Sequence, residues 1–457
     1  METYTDIVKR IIRLEEELGL YQYKIANVPI WDIVRGKYRN NYVIKGIGMT
    51  QASYQKRHSV LTFLKSFVIS LWQGLKIFVC SGHIDTVFYG FPRLEKIDEY
   101  YVDKFIEPII SSTNISDNYL YLEAGKGGVH RSPRQIDNIV WVESLNIISW
   151  IMGIIISPLY YVWNLRVLTN VYKKASGEFA DSWKDLIYII LFTSQFFVKC
   201  VLLYFLYKRI KAKRVIAPTI SIEHIVPARW CNMKTYELQH GITTDLTTTY
   251  SGVFSPIAHA DYFLAFGESS VSPVFGYPIE KVCNVGYAFK QFLKKKSSSK
   301  YPENTFLVLS DPEISERIVD TLLLFTKKYP DYIFHIRLHP LEELSDNLKE
   351  RLANAHVEIA DNTINSMLAI MSYHAVIGVN TTVLYEAISV GVKAACISFN
   401  GLDPDNYPNP LLKEYFYVIS ELDDLERFQN NYELSKEQKN YFFSDFNISK
   451  FSQLVGF

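Results

Sequence analysis

The sequence predicts an α/β protein built from two Rossmann-like domains that face a central cleft, with helical insertions in the first domain. Three observations carry that expectation. From Arg214 onward, short apolar runs alternate with helical patterns: RVIAPTI (214–220), EHIVPARWCN, KTYELQ and ADYFLAFG (260–267). Such alternation implies parallel strands joined by right-handed crossover helices. The pattern then restarts after FKQFLKKKSSSKYPENT (289–305), a polar, basic stretch with the composition of a linker. Finally, 457 residues are too many for one ordinary core. The expected division is an N-terminal Rossmann-like domain over 1–288, a linker over 289–304 and a C-terminal Rossmann-like domain over 305–457.

Taken in order, METYTDIVKRIIRLEEELGL reads as an amphipathic charged helix without the apolar core of a signal peptide, so a cytoplasmic location is expected. LKIFVCSGHID (75–85) predicts a buried strand running into a polar turn, and NYLYLEAG another strand. The middle third is unusual. Ser144 to Leu165 carries no charge, and LIYIILFTSQFFV (186–198) continues past Lys199 to the basic cluster KRIKAKR (208–214). These helices, spanning 144–207, suit three places: a large core, the plane of a membrane surface, or a bilayer span. Pro158 and Lys199 argue against a stable span, and the basic cluster suits attraction to anionic lipid at the inner face of the cell membrane. In the second unit TFLVLSD, YIFHIRLHP, HVEIA, AVIGVN and AACISF predict strands, with helices between them.

Composition narrows the function. The 48 basic and 48 acidic side chains cancel, which argues against a nucleic-acid partner. Aromatic residues reach 15%, a level that suits carbohydrate stacking, a membrane interface or simply a large core. The five cysteines are scattered without CxxC spacing, so neither a zinc site nor a disulfide framework is expected. No P-loop, GxGxxG, HExxH or GxSxG is present. The Asp-x-Asp at 403–405 sits in NGLDPDNYPNP, which spells a turn and not a metal site.

Two histidines share one grammar. TYELQHGIT (235–243) ends a strand on His240 and Gly241, and YIFHIRLHPLEE (332–343) ends one on His339 and Pro340. Ligands of open parallel sheets sit beyond the carboxyl ends of the strands, so both imidazoles are expected at one cleft. An ordinary loop histidine satisfied by a carbonyl is the plainer alternative. In GVNTTVLYEAISVG (378–391) a strand runs into Thr381 and Thr382 at a helix start, an anion site or an ordinary cap, with Glu386 one turn further on. Ser310, closing TFLVLSD, joins the donor-side set with Arg337, which could stabilise a leaving phosphate without a metal. His240, Asp245 and Glu237 are the choices for a general base.

ELQHG, the DYFLAFG strand, RLHPLEE and NTTVLYEA together resemble the bacterial GT-B glycosyltransferases of capsule and lipopolysaccharide assembly, over roughly residues 205–400. The group with QHG and HP motifs includes Kdo, sialyl- and polysialyltransferases and, more distantly, teichoic-acid glycerophosphotransferases. The resemblance implies a CMP- or UDP-linked sugar donor as substrate, a glycan or lipid-linked glycan as acceptor, and no cofactor or metal. It also implies that His339 and Pro340 bind the donor phosphate, that Thr381 and Thr382 hold it at the helix tip, that Glu386 contacts the ribose, and that His240 lies near the reacting centre. The chain departs from the group in lacking an acidic-acidic-Gly motif and a histidine shortly after QHG. A nucleotide-sugar epimerase on the same fold and a non-catalytic membrane assembly subunit are the competing expectations.

Overall fold

The computed structural model describes residues 4–47, 60–80, 82–113, 115, 118–125, 127–219, 222–243, 247–248, 250–271, 276–296, 300–340, 342–406 and 411–457. Apolar runs in the first domain pair into one parallel sheet of β1 (Thr86–Tyr89), β2 (Tyr119–Glu123), β3 (Ile139–Trp141), β4 (Arg214–Pro218), β5 (Lys234–Leu238), β6 (Tyr262–Ala265) and β7 (Val282–Asn284). Their spatial order is 7-6-5-4-1-2-3. The second domain repeats the scheme with β8 (Thr305–Leu309), β9 (Ile333–Arg337), β10 (Glu358–Ile359), β11 (Ala375–Gly378), β12 (Lys393–Ile397) and β13 (Tyr417–Ile419). There the order is 10-9-8-11-12-13. Both are doubly wound: strand order reverses between β1 and β4 in one sheet and between β8 and β11 in the other, the places where such folds open a ligand crevice. In register, Val87 pairs with Leu120 and Val215, and Leu307 with His335 and Val376.

The two-domain expectation therefore stands, with amendments at the edges. The stretch expected as a linker begins as a helix, Ala288–Lys294, with Phe289, Lys290 and Leu293 buried. Lys290 Nζ donates to the Phe443 carbonyl at 2.9 Å, tying that helix to the chain's tail. The tail itself leaves the second domain. Ser444 and Asn447 donate backbone N–H groups to Phe266 and Val285, and the helix Ile448–Val455 receives Arg214 and Tyr236 on its last carbonyls. One apolar cluster accordingly runs from Leu238 and Tyr287 through Leu307 and Tyr385 to Phe442 and Phe451, joining both domains.

Helices account for the remainder of the first domain. α1 (Tyr4–Glu17) and α2 (Ile30–Ile47) pack together ahead of the sheet. Residues 75–80, expected as a strand, instead end a helix, α3 (Val60–Cys80), and the strand begins only at Thr86. A short apolar window reads the same in either state, and the longer run VLTFLKSFVISLWQGLKIFVC has helical length. α4 (Glu143–Ala175) passes Pro158 unbroken and bends at Asn164, where φ is −112° and the amide donates to the Tyr160 carbonyl. α5 (Trp183–Ile210) returns alongside it from a Ser182–Asp185 capping box. Gly153 permits the close crossing, since a Cβ there would lie 2.6 Å from the Gln195 Cα. α3, α4 and α5 are each long and apolar enough to cross a membrane by length and composition, with only 11%, 22% and 33% of their most apolar windows buried.

Candidate active site

The cleft lies where both sheets present carboxyl ends. On the first domain, Gln239 fixes the turn that aims His240. Its Nε2 donates to the Gly241 carbonyl at 2.7 Å and to Ser270 Oγ at 2.8 Å, while its Oε1 accepts the Phe266 N–H at 2.6 Å. Gly241 sits at φ +75°, where a side chain would strain the backbone. The imidazole of His240 packs between Phe91 and Phe105, with ring centroids 4.5 and 5.3 Å away. Buried Asp103 holds both of these aromatic loops by accepting the N–H groups of Phe91 (2.9 Å) and Phe105 (2.8 Å), and Tyr121 donates to it as well. Burial pushes the His240 pKa down to about 4, and the charges of Lys104 and Arg93 push the same way. The imidazole is therefore neutral at pH 7 beside two cations.

The second domain answers with Glu386. Burial raises its carboxyl above the ordinary value, against the pull of Lys104 and of a 3.3 Å hydrogen bond from Ser366, while Glu95 adds to the rise. Lys104 and Glu95 belong to the first domain, so Glu386 faces across the cleft. Arg337 ends β9, where burial lowers its pKa and the charges of Asp361, Glu95 and Glu386 act against that. Its guanidinium donates to the carbonyls of Asp361 (3.0 Å) and Ile364 (2.6 Å), so it secures the loop after β10 as well. Lys104, Arg93 and Glu95 have no motif of their own in the sequence; only the packing of the two domains reveals them.

The remaining expected residues divide. Thr381 is the N-cap of the helix Thr382–Ser389, accepting the Val383 N–H at 3.3 Å, and Thr382 is exposed beside it. The plain capping role thus holds, and the Leu384 N–H also closes on the Thr381 carbonyl. Ser310 donates to Glu342 Oε1 at 2.7 Å, and Glu342 also accepts from Ser315 Oγ and the His339 N–H. The second half of HPLEE therefore works as a clamp joining the ends of β8 and β9. His339 and Pro340 lie exposed at the rim of this clamp. Glu237 is buried in β5, with neither carboxylate oxygen hydrogen-bonded, and burial pushes its pKa up to about 8. It belongs to the core beneath Tyr250 and Tyr277, away from the His240 aromatic pair. Asp245 lies outside the described residues. Asp403 and Asp405 both accept from Lys413 Nζ, at 2.6 and 2.8 Å, which gives the DPD turn a cation of its own.

No protein-family model matches the chain, and no curated protein matches it. Among solved structures, it is similar to UDP-GlcNAc 2-epimerase from Methanocaldococcus jannaschii, at 12% identity over 82% of this chain and 99% of that one, with a TM-score of 0.48. The UDP-GlcNAc 2-epimerase from Neisseria meningitidis bound to UDP-GlcNAc gives 13%, 82%, 99% and 0.46. The wall teichoic acid polymerase TagF gives 12%, 87%, 98% and 0.44. Likenesses of this degree say nothing about chemistry, and the functional reading rests on the cleft and the helices.

Proposed function

We propose that the chain is a glycosyltransferase that moves a sugar from a CMP- or UDP-linked donor to a growing bacterial surface polysaccharide at the membrane. One observation supports this reading: the charge of Lys104 in the first domain acts both on His240 beside it and on Glu386 of the second domain, whose carboxyl also feels Arg337. Glycosyl transfer must hold a nucleotide phosphate, stabilise its charge as the sugar leaves, and take a proton from an acceptor hydroxyl. Lys104, Arg93 and the end of the Thr382 helix supply positive charge for the first two tasks. His240 supplies the third. An anionic donor settling beside Lys104 and Arg93 offsets the charges that depress the imidazole, which moves its pKa toward neutrality. Glu386 then accepts hydrogen bonds from the donor's ribose. The exposed apolar helices suit attachment to a membrane surface, which would bring the enzyme to acceptors built on lipid carriers.

Thermal unfolding with CMP, UDP and GDP tests the donor class. A rise in midpoint with the cytidine or uridine nucleotide is expected, and no rise with any of the three overturns the reading. Nucleotide release from the matching sugar donor should require an acceptor glycan. Sugar interconversion without an acceptor would instead identify an epimerase.

A further inference from the structure

Asp103, which holds the two aromatic rings against His240, is itself held. Behind it a chain of buried charged side chains runs back to the start of α4. Glu143, the first residue of that helix, accepts the Gly125 N–H at 2.8 Å and pairs with His130 Nε2 at 3.0 Å. The other ring nitrogen, Nδ1, lies 2.6 Å from Glu123 Oε1 at the end of β2. The imidazole also lies flat on Trp141, with ring centroids 3.7 Å apart. Glu123 accepts in addition from Arg134 Nη1. Arg134 then closes on Glu107 Oε1, from Nε at 3.0 Å and from Nη2 at 2.6 Å. The same Glu107 oxygen accepts the Asp103 N–H at 2.7 Å. From Asp103 the chain passes to the N–H groups of Phe91 and Phe105, and so to the imidazole between them.

The backbone makes room for this chain at both ends. A Cβ on Gly125 would lie 2.8 Å from His130 Nε2, and one on Gly90 would run into the Tyr121 hydroxyl that donates to Asp103. The side chains of His130, Glu123, Glu143, Arg134 and Glu107 are only 3% to 6% exposed. Buried ion pairs gain little stability over apolar packing of the same volume, because desolvating the charges costs about as much as pairing them returns. What such pairs fix is geometry. Arg134 is the member that joins the His130 half of the chain to the Asp103 half. The turn it secures carries Phe105 onto His240, and it carries Lys104, whose charge acts on both His240 and Glu386. An ion pair that merely braced the fold could end anywhere, whereas this one ends on the two rings that enclose the imidazole of the cleft.

We propose that Arg134 is a positioning residue of the cleft: through Glu107 and Asp103 it sets the enclosure of His240 by Phe91 and Phe105, and with it the place of Lys104. The consequence for turnover rests on the transferase reading, but the enclosure itself is measurable without turnover. The full-length protein is treated with diethylpyrocarbonate at neutral pH, and the modification rate of each histidine is followed by peptide mass spectrometry. Exposed His339 reports the reagent, while His224 and His259, buried elsewhere in the first domain, report any general loosening. Arg134→Lys keeps the charge but has no planar fork to bridge Glu123 and Glu107, so the His240 rate should rise about ten-fold with His224 and His259 unchanged. Tyr121→Phe, which takes one hydroxyl from Asp103, should raise it in the same direction by a smaller factor. An unchanged His240 rate in Arg134→Lys, or a rise that His224 and His259 share, overturns the proposal. If Arg134→Lys does not fold, Tyr121→Phe decides: a rise confined to His240 sustains the positioning role, and no rise refutes it. A parent without transfer activity whose His240 rate still responds to Arg134→Lys would sink the transferase reading and leave the positioning role standing.

Discussion

Gln239 Oε1 accepts the Phe266 N–H at 2.6 Å, so the residue before His240 locks the end of β5 to the end of β6. Its amide also donates to the Gly241 carbonyl and to Ser270, leaving none of its polar atoms idle. Gln239→Leu keeps the volume but strands these partners in a fully buried place. The expected cost is about 2–4 kcal/mol, since each buried group left unpaired costs about 1–3. Urea unfolding measures it, and a loss under half a kilocalorie would show that the QHG turn is held by something else.

Glu237 gives a stability signature in pH. Its folded pKa is raised to about 8 from an ordinary 4.5, so ionisation is easier in the unfolded chain. The neutral carboxyl thus favours folding fully below pH 4.5, and that advantage is lost progressively as pH rises to about 8. The shift corresponds to about 5 kcal/mol across that window. Glu237→Gln should remove this dependence, so the variant gains on the parent between pH 5 and 8. Parallel pH–stability curves for the two proteins would refute it.

How much of this was legible in the sequence depends on how local the cause is. Most strands of both sheets, the Thr381 cap and the helices of the α4–α5 segment follow from periodicity and capping chemistry confined to short windows, whereas β1, β3 and β13 carry too short a pattern to be expected. The end of α3 is ambiguous in the sequence because KIFVC looks alike as a buried strand or as the last turn of an apolar helix. Lys104, Arg93 and Glu95 lay beyond reach because their meaning comes from Glu386, which arrives from the other domain nearly three hundred residues later. The tail's return to β4 and β5 is equally non-local, since a short amphipathic helix does not say which domain it covers. Lys199, a misfit in an apolar run, became intelligible once α2 and Glu223 were seen beside it.

His240 and Lys104 should separate in kinetics. His240→Ala removes the proton acceptor and should lower kcat by about 10²–10⁴, the usual yield of general base catalysis, with nucleotide affinity unchanged within a few-fold. Lys104→Ala removes a phosphate partner and should weaken nucleotide binding about ten- to hundred-fold, in a salt-dependent way. Equal losses of affinity in both variants would mean the two roles have been assigned to the wrong residues.

His339 is exposed while its backbone is pinned by Glu342, so substitution should leave the fold intact. His339→Ala is expected to weaken nucleotide binding without shifting the unfolding midpoint of the free protein. Glu342→Gln should do both, because it loosens Ser310 and Ser315 as well. A His339 variant with full affinity would remove the imidazole from the donor site.

Membrane attachment is the prediction for three apolar helices whose most apolar windows are largely uncovered. Trp72 on α3 is 70% exposed, and Val162 and Trp163 on α4 are 67% and 77% exposed. An uncovered apolar surface of this extent marks an interaction site in a soluble protein. Aromatic side chains of this amphipathic kind settle at the headgroup level, and Lys208, Arg209 and Lys211 at the end of α5 add about 1 kcal/mol each beside anionic lipid. Trp72→Glu combined with Trp163→Glu puts charge where water already reaches, so the fold should survive. The pair should nonetheless reduce flotation with phosphatidylglycerol vesicles at least ten-fold. Binding of the parent should weaken in high salt and persist in part, because the apolar contribution is not screened. Retention released only by detergent would instead mark a bilayer span, and an unchanged flotation profile in the glutamate pair would move the contact off these helices.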